Sequence, residues 1–146
     1  MKSFLTVAAI VLLTSGLATA GEKGMMHCFA FTVIPEATDA DWKAFADATD
    51  KWPAHFRGIQ KIWHGKLRAP LAQFTIDGEA RKKLAAGDKN VDTKANRLMR
   101  QHGVCMLMNG PETLKEYTAA PFHKEWTAVY EKVRVAGTTT YDILAQ

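Results

Sequence analysis

The sequence has little of several residue types that mark special classes of protein. Only 2 of its 146 residues are cysteine, 5 are proline and 10 are glycine, which excludes disulfide scaffolds, collagens and low-complexity chains. Neither charge sign is in large excess, because the chain has 19 Lys and Arg residues and 15 Asp and Glu residues. A formal net charge of +4 is too small to indicate the concentrated basic surface of a nucleic-acid-binding protein, so we expect no nucleic-acid partner.

Long apolar runs are absent except at the start of the chain. Lys2 gives a positive beginning, residues 4–13 are apolar apart from Thr6, and Ala18 and Ala20 place small residues where a signal peptidase reads them. The run is shorter than the roughly 20 residues that cross a bilayer. We therefore predict a signal peptide over residues 1–20, a secreted or periplasmic mature chain over 21–146, and no membrane insertion after cleavage.

The cysteines and histidines lack the close spacing of metal ligands. The sequence thus predicts no metal site and no cofactor. Cys28 and Cys105 leave two interpretations open. They form a disulfide in an oxidising compartment, or they are two small buried hydrophobic side chains.

Hydrophobic periodicity divides the mature chain into strands and helices in the order β–α–β–β–α–β. We expect strands over residues 27–34, 58–67, 102–108 and 138–144. A first helix starts at Thr38 and ends before Pro53, and a second starts at Pro111 and is interrupted at Pro121. This order predicts a single α+β domain with a ferredoxin-like fold, a four-stranded antiparallel sheet with its helices on one face.

The face of the sheet without helices is too apolar to meet water. In the predicted strands it carries five small or apolar residues, Ala30, Thr32, Ile34, Cys105 and Leu107. A second copy of the chain placed against this face is the simplest cover, so the sequence predicts a homodimer that closes two sheets into an α+β barrel.

Residues 68–101 form a polar insert that contains eight basic and four acidic residues. Its charge of +4 exceeds the +3 of the whole mature chain, so the rest of the domain carries −1. Leu71, Phe74 and Ile76 are compatible with a short strand, and residues 80–86 with a helical turn or two. An insert of this length in a small domain is usually a binding loop, a lid or a mobile segment.

Three segments resemble the stress-response α/β-barrel family, often called Dabb, of the dimeric α+β barrel superfamily. They are the first strand from His27 to Phe31, the second strand around Trp63 and Gly65, and residues 114–123. The last segment is the most specific, because Tyr117 is followed six residues later by His123 with Pro121 between them. The basic insert has no counterpart in the family pattern.

The resemblance implies where a site would lie. The best-known enzyme of the family is the plant polyketide cyclase that makes olivetolic acid, in which a His and a Tyr form a catalytic pair. Matching the motifs places the general base at His123 and its phenol partner at Tyr117, in a pocket that His27, His102 and Trp126 also line. A neutral imidazole accepts a proton near pH 7, and a phenol stabilises an enolate oxygen.

Three functional hypotheses follow from these residues. The first is a protein that binds a small apolar or aromatic molecule, with proton transfer of the cyclase or isomerase kind as its possible chemistry. The second is a non-catalytic dimeric stress or envelope protein whose pocket is filled by side chains. The third, suggested by other dimeric α+β barrels, is a haem-binding protein or a cofactor-free monooxygenase.

Overall fold

A four-stranded antiparallel sheet organises the computed structural model, which describes residues 24–145. The predicted signal peptide lies outside these residues. In chain order, the described elements are β1 Met25–Val33, α1 Asp39–Asp50, α2 Trp52–His55, β2 Ile59–Ile76, α3 Gly78–Ala85, β3 Ala95–Met108, α4 Pro111–Ala119, α5 Pro121–Tyr130 and β4 Arg134–Leu144.

The strands lie in the order β2-β3-β1-β4, and every neighbouring pair is antiparallel. This arrangement confirms the ferredoxin-like α+β fold expected from the order of elements. β1 is central and pairs with β3 on one side and β4 on the other. β2 and β4 form the two edges of the sheet within the described residues.

The hydrophobic core lies between one face of this sheet and the helices. Alternate residues of β1 and β3 point into it because successive side chains of a strand point to opposite faces. They meet large aromatic side chains from α1, α2, α4 and α5. The main core residues are Met25, Phe29, Phe31, Phe45, Trp52, Val104, Met106, Met108, Tyr117, Trp126 and Tyr130.

Local sequence signals set the helix ends. Thr38 caps α1 by accepting a hydrogen bond from the backbone N–H of Asp41, and the Asp41 carboxylate accepts one from the backbone N–H of Thr38. Pro111 and Pro121 occupy the first turns of α4 and α5, where a missing N–H costs no helical hydrogen bond. The predicted break at Pro121 is therefore confirmed.

A disulfide joins Cys28 and Cys105 on the face of the sheet opposite the helices. The two residues are direct partners in the β1–β3 register, with their Cα atoms 4.2 Å apart. Of the two interpretations that the sequence leaves open, the structure has the disulfide. It ties the two central strands together at the middle of the sheet.

The basic insert contains the short strand and the helical turns that we expected, but they belong to a long hairpin and not to a separate loop. β2 continues to Ile76, nine residues past its predicted end at residue 67, and β3 begins at Ala95, seven residues before its predicted start at residue 102. The two strands remain paired from Leu71 with Arg100 to Ile76 with Ala95, after a register shift that follows Lys66. The insert is thus an extension of the β2–β3 hairpin that carries α3 at its end, and we call residues 68–101 the arm.

Arg100 attaches the arm to the rest of the sheet. Its buried guanidinium donates hydrogen bonds to Thr139 Oγ1, Thr32 Oγ1, the carbonyl of Gly137 and Gln73 Oε1. These acceptors belong to β1, β2 and β4, so one side chain of β3 connects all four strands. All of them are uncharged, so the cation is stabilised by dipoles rather than by a carboxylate.

β4 is longer than predicted, because it begins at Arg134 and not at Thr138. Gly137 interrupts it with a φ of 88°, a conformation that glycine adopts without steric cost.

Across the described residues, 24–145, no helix has the length and apolar character needed to cross a membrane.

Candidate functional site

A cavity of about 370 Å³ opens between the sheet and the two helices α4 and α5. Its wall is largely aromatic, with a few polar side chains. The residues that line it are His27, Phe29, Leu114, Tyr117, Thr118, His123, Trp126, Thr127, Tyr130, Arg134, Thr138 and Thr140. Four of the five site residues expected from the sequence, His27, Tyr117, His123 and Trp126, are among them. We call this space the helix-side cavity.

The break between α4 and α5 brings Tyr117 and His123 together. Ala120 has an extended conformation between the two helices, and the backbone N–H of His123 donates to its carbonyl at 2.9 Å. The chain therefore turns within three residues, and the two rings meet edge to face with their centroids 4.8 Å apart. The six-residue spacing of Tyr117 and His123 in the sequence is the spacing that this turn needs to bring the two rings into contact.

Burial sets the charge state of this pair. It lowers the pKa of His123 below the ordinary value of 6.5, since a charged imidazolium loses hydration there. Burial also raises the pKa of Tyr117 well above the usual range of a phenol. At neutral pH the cavity thus holds a neutral imidazole, which accepts a proton, beside a protonated phenol, which donates a hydrogen bond.

His27 has a carboxylate partner that sequence reasoning missed. Its Nδ1 lies 2.6 Å from Oδ1 of Asp142, which is its direct neighbour across the β1–β4 register. The carboxylate holds a proton on Nδ1 and fixes the orientation of the ring, with Nε2 on the side away from Asp142. The sequence gives one weak signal for this pair: Asp142 is the only acidic residue in the last predicted strand.

Trp126 forms an apolar wall of the cavity and not a polar contact. Its indole N–H already donates to Thr49 Oγ1 at 2.9 Å, and its ring stacks on Tyr130 with centroids 4.6 Å apart. A bound molecule would therefore meet the face or edge of this ring.

The structure does not bring His102 to the same cavity as the other four residues. It lines a separate cavity of about 380 Å³ with Trp42, Phe45, Ala46, His64 and Gly65. The reason is the register: His27 lies opposite Met106, whereas His102 lies opposite Phe31, four residues further along β1. Four strand residues span about 13 Å. Burial, together with His64 and Lys66 nearby, lowers the pKa of His102.

Among residues 24–145 no three His, Cys, Asp or Glu side chains are grouped as a metal site would need.

The lowered pKa values of His102 and His123 predict that acid destabilises the protein. The unfolded chain takes up these two protons near the ordinary pKa of 6.5, whereas the folded chain takes them up only at lower pH. Between those values the unfolded state binds more protons, so the free energy of unfolding falls as the pH falls. We expect the Tm to drop by several degrees between pH 7 and pH 5.

Thermal unfolding of two variants at each pH checks this expectation. Replacing both His102 and His123 with Gln should flatten the dependence, while replacing the exposed His55 with Gln should leave it unchanged. An equally steep dependence in the double variant would show that other groups cause the acid sensitivity.

Comparison with known proteins gives matches to solved structures alone. No family model matches the sequence, and no curated protein matches it either. The solved structures include a dimeric ferredoxin-like protein of unknown function from Thermobifida fusca, with 16% identity, 84% of this chain and 92% of that chain covered, and a TM-score of 0.55.

Two further structures carry a family or an activity in their names. A dabb family protein with a ferredoxin-like fold from Mesorhizobium loti has 12% identity, coverage of 86% of this chain and 99% of that chain, and a TM-score of 0.54. The hydroxynitrile lyase from Passiflora edulis has 6% identity, coverage of 85% and 94%, and a TM-score of 0.56. At these identities the likeness concerns the fold, and this chain has the ferredoxin-like α+β fold that those proteins share.

Proposed function

We propose that the chain is an exported, homodimeric protein of the stress-response α/β-barrel (Dabb) type that binds a small apolar or aromatic molecule in the helix-side cavity. One observation carries the proposal. Four side chains that the sequence motif singles out, from β1, α4 and α5, line a single aromatic cavity of about 370 Å³. That volume and that mixture of aromatic walls with a few polar groups are typical of small-molecule sites.

The proposed chemistry is proton transfer at carbon. His123 is the general base, because its half-buried imidazole has a lowered pKa and is neutral at pH 7, and Tyr117 donates a hydrogen bond to the oxygen on which charge develops. His27, oriented by Asp142, supplies Nε2 as a further polar atom that positions the bound molecule. The hydroxynitrile lyase among the structural neighbours is one enzyme with this fold.

The alternative of a pocket filled by side chains requires little free space beside His123. The cavity at this position counts against that alternative. The non-catalytic version of the proposal, in which the cavity binds a molecule without turnover, differs from the catalytic version only in whether His123 moves a proton.

The proposed homodimer uses the face of the sheet that carries the disulfide. Trp63, Tyr141 and Ile143 lie on this face and are 44%, 50% and 55% exposed in the single chain. Trp63 and Tyr141 line a concave area that extends over Cys28 and Ala30. A second sheet placed on this face would remove these large side chains from water, and several structural neighbours are described as dimeric.

The proposed export rests on residues 1–20 and on the disulfide. A positive residue, a short apolar run and small residues before position 21 are the parts of a cleaved signal peptide. Disulfides form and persist in oxidising compartments, and the structure joins the two cysteines of the chain. A secreted or periplasmic location is consistent with both features.

Mass spectrometry of the exported protein tests the proposal. The full chain, signal peptide included, is expressed in a bacterium and purified from the periplasm, and small molecules released on denaturation are compared among three proteins. Leu114→Trp fills the helix-side cavity from α4, while Leu84→Trp makes the same change on the exposed arm. We expect a bound small molecule in the wild type and in Leu84→Trp, and its loss in Leu114→Trp.

The same preparation gives two further readings. The intact mass reports cleavage after Ala20, and light scattering reports the dimer. A molecule retained equally by Leu114→Trp, or no molecule in the wild type, would contradict binding in this cavity.

A further inference from the structure

One face of the arm presents apolar side chains to solvent. Three cross-strand pairs of β2 and β3 make up this face: Ala72 with Met99, Phe74 with Arg97, and Ile76 with Ala95. The members of a cross-strand pair point to the same face of a sheet, so five of these six neighbouring side chains are apolar. Phe74, at the centre, is 65% exposed, more than any other large hydrophobic residue among residues 24–145. We call this surface the Phe74 face.

The proposed dimer leaves the Phe74 face uncovered. Leu71 lines the concave area that extends over Cys28 and Ala30, so it lies on the side of the arm that continues the face with the disulfide. Leu71 and Phe74 are three residues apart in β2 and therefore point to opposite sides. A second copy placed on the face with the disulfide would meet Leu71, while Phe74 would stay in water.

The arm that carries this face is basic, and most of its charge is unpaired. Seven of its eight basic residues are exposed, the exception being Arg100. Among residues 24–145, Lys82 is the only one of these seven with a carboxylate within 4.0 Å, that of Glu79. The carboxylate of Asp77 is already used, because it caps α3 and accepts a hydrogen bond from Thr93. The arm is therefore complementary to a negatively charged partner, which a second copy with a charge of only −1 outside its arm does not supply.

The small size of the Phe74 face favours a lipid surface over a protein partner. A stable protein interface buries about 800 Å² on each partner. Three residues along a strand span about 10 Å, and paired strands lie about 5 Å apart, so this face offers a small fraction of that area. A bilayer needs no matching surface, because a single aromatic side chain enters the boundary between headgroups and acyl chains while nearby cations attract anionic headgroups.

We propose that the arm docks the protein on an anionic phospholipid surface. Phe74 enters the apolar boundary of the bilayer, Arg97 beside it contacts a lipid phosphate, and the lysines of α3 and of the loop that follows it add attraction. Docking of this kind is peripheral and requires no membrane-spanning helix. The proposal concerns the arm, so it goes beyond the proposed function and does not depend on what the helix-side cavity binds.

Co-sedimentation with vesicles tests the proposal. The mature chain, residues 21–146, is mixed with vesicles of phosphatidylcholine alone and with vesicles that contain about one third phosphatidylglycerol. We expect the protein to bind the anionic vesicles at least about tenfold more tightly, because each cation near an anionic surface adds attraction. Salt at about 1 M, where the Debye length is about 3 Å, should remove this preference.

Two double variants separate the charge of the arm from the charge of the rest of the surface. Lys83→Gln with Lys89→Gln should weaken binding to the anionic vesicles about tenfold. Lys115→Gln with Lys124→Gln removes the same charge from exposed positions on α4 and α5 and should keep binding within about twofold of the wild type.

A second matched pair tests the apolar contact. Phe74→Ser should weaken binding to the anionic vesicles by about fivefold or more, since it removes the ring that leaves water. Leu144 is 59% exposed and lies outside the arm, opposite Met25 of β1, so Leu144→Ser should bind as the wild type does. Both substitutions are at exposed positions, and thermal unfolding checks that each variant folds.

Three results would overturn the proposal. The first is binding that does not distinguish anionic from neutral vesicles, or no binding to either. The second is an equal loss in the arm variants and in their controls, which would assign binding to the overall charge. The third comes from light scattering: an assembly larger than a dimer that Phe74→Ser reduces to a dimer would place another copy on the Phe74 face.

Discussion

Replacing His123 with Gln is expected to lower catalysed proton transfer at carbon by at least about 100-fold, because the glutamine amide has no basic nitrogen. Tyr117→Phe is expected to cost about 10- to 100-fold, since it removes the hydrogen bond to the developing oxyanion and keeps the ring. Exchange of the methyl protons of substituted acetophenones for deuterium in D₂O, followed by NMR, measures the reaction without requiring the natural substrate.

The exposed His55 supplies the matched control for this experiment. His55→Gln removes an imidazole that stacks on Phe122 with centroids 4.1 Å apart and does not line the cavity, so it should exchange protons at the wild-type rate. The lowered pKa of His123 adds a signature: the acid limb of kcat/KM should fall below pH 6.5. Wild-type exchange in His123→Gln, with loss of exchange in His27→Gln, would move the base to His27 and contradict the assignment.

Removing the disulfide is expected to reduce the free energy of unfolding by about 4 kcal/mol, which is a large part of the total for one domain. Cys28 and Cys105 are separated by 77 residues, and a cross-link over a loop of that length removes much of the conformational entropy of the unfolded chain. Urea denaturation of the double variant Cys28→Ala, Cys105→Ala, at a fixed protein concentration, measures the loss.

Reduction of the wild-type protein provides the control for the double variant. Dithiothreitol should destabilise the wild type by a similar amount and should not affect the double variant. A double variant as stable as the oxidised wild type would show that β1 and β3 gain nothing from the cross-link.

The order and type of most helices and strands could be predicted from the sequence because short stretches of residues determine them. The apolar run of β1, the Thr38 cap and the prolines at 111 and 121 each act within a few residues, and the structure confirms all three. The arm was predicted only in part. Local residue patterns indicate its short strand and its helix, whereas the pairing of β2 with the first half of β3 depends on cross-strand hydrogen bonds and on Arg100, which leave no hydrophobic period in the sequence.

The site was accessible in part. The helix break at Pro121 lies between Tyr117 and His123, so the proximity of these two side chains could be predicted from local sequence. The pairing of His27 with Asp142 and the separate position of His102 depend on strand register, which the sequence does not specify.

The position of β1 in the sheet has a consequence for how the chain reaches this structure. β2 and β3 are neighbours in sequence and can pair locally, but β1 pairs with β3 and with β4, and the His27–Asp142 contact alone spans 115 residues. Contacts over such separations form slowly. The first described strand therefore completes its pairing only when the last one is available. Until β4 arrives, one edge of β1 stays unpaired, and we expect a chaperone of the unfolded chain to shield this apolar segment, residues 25–33.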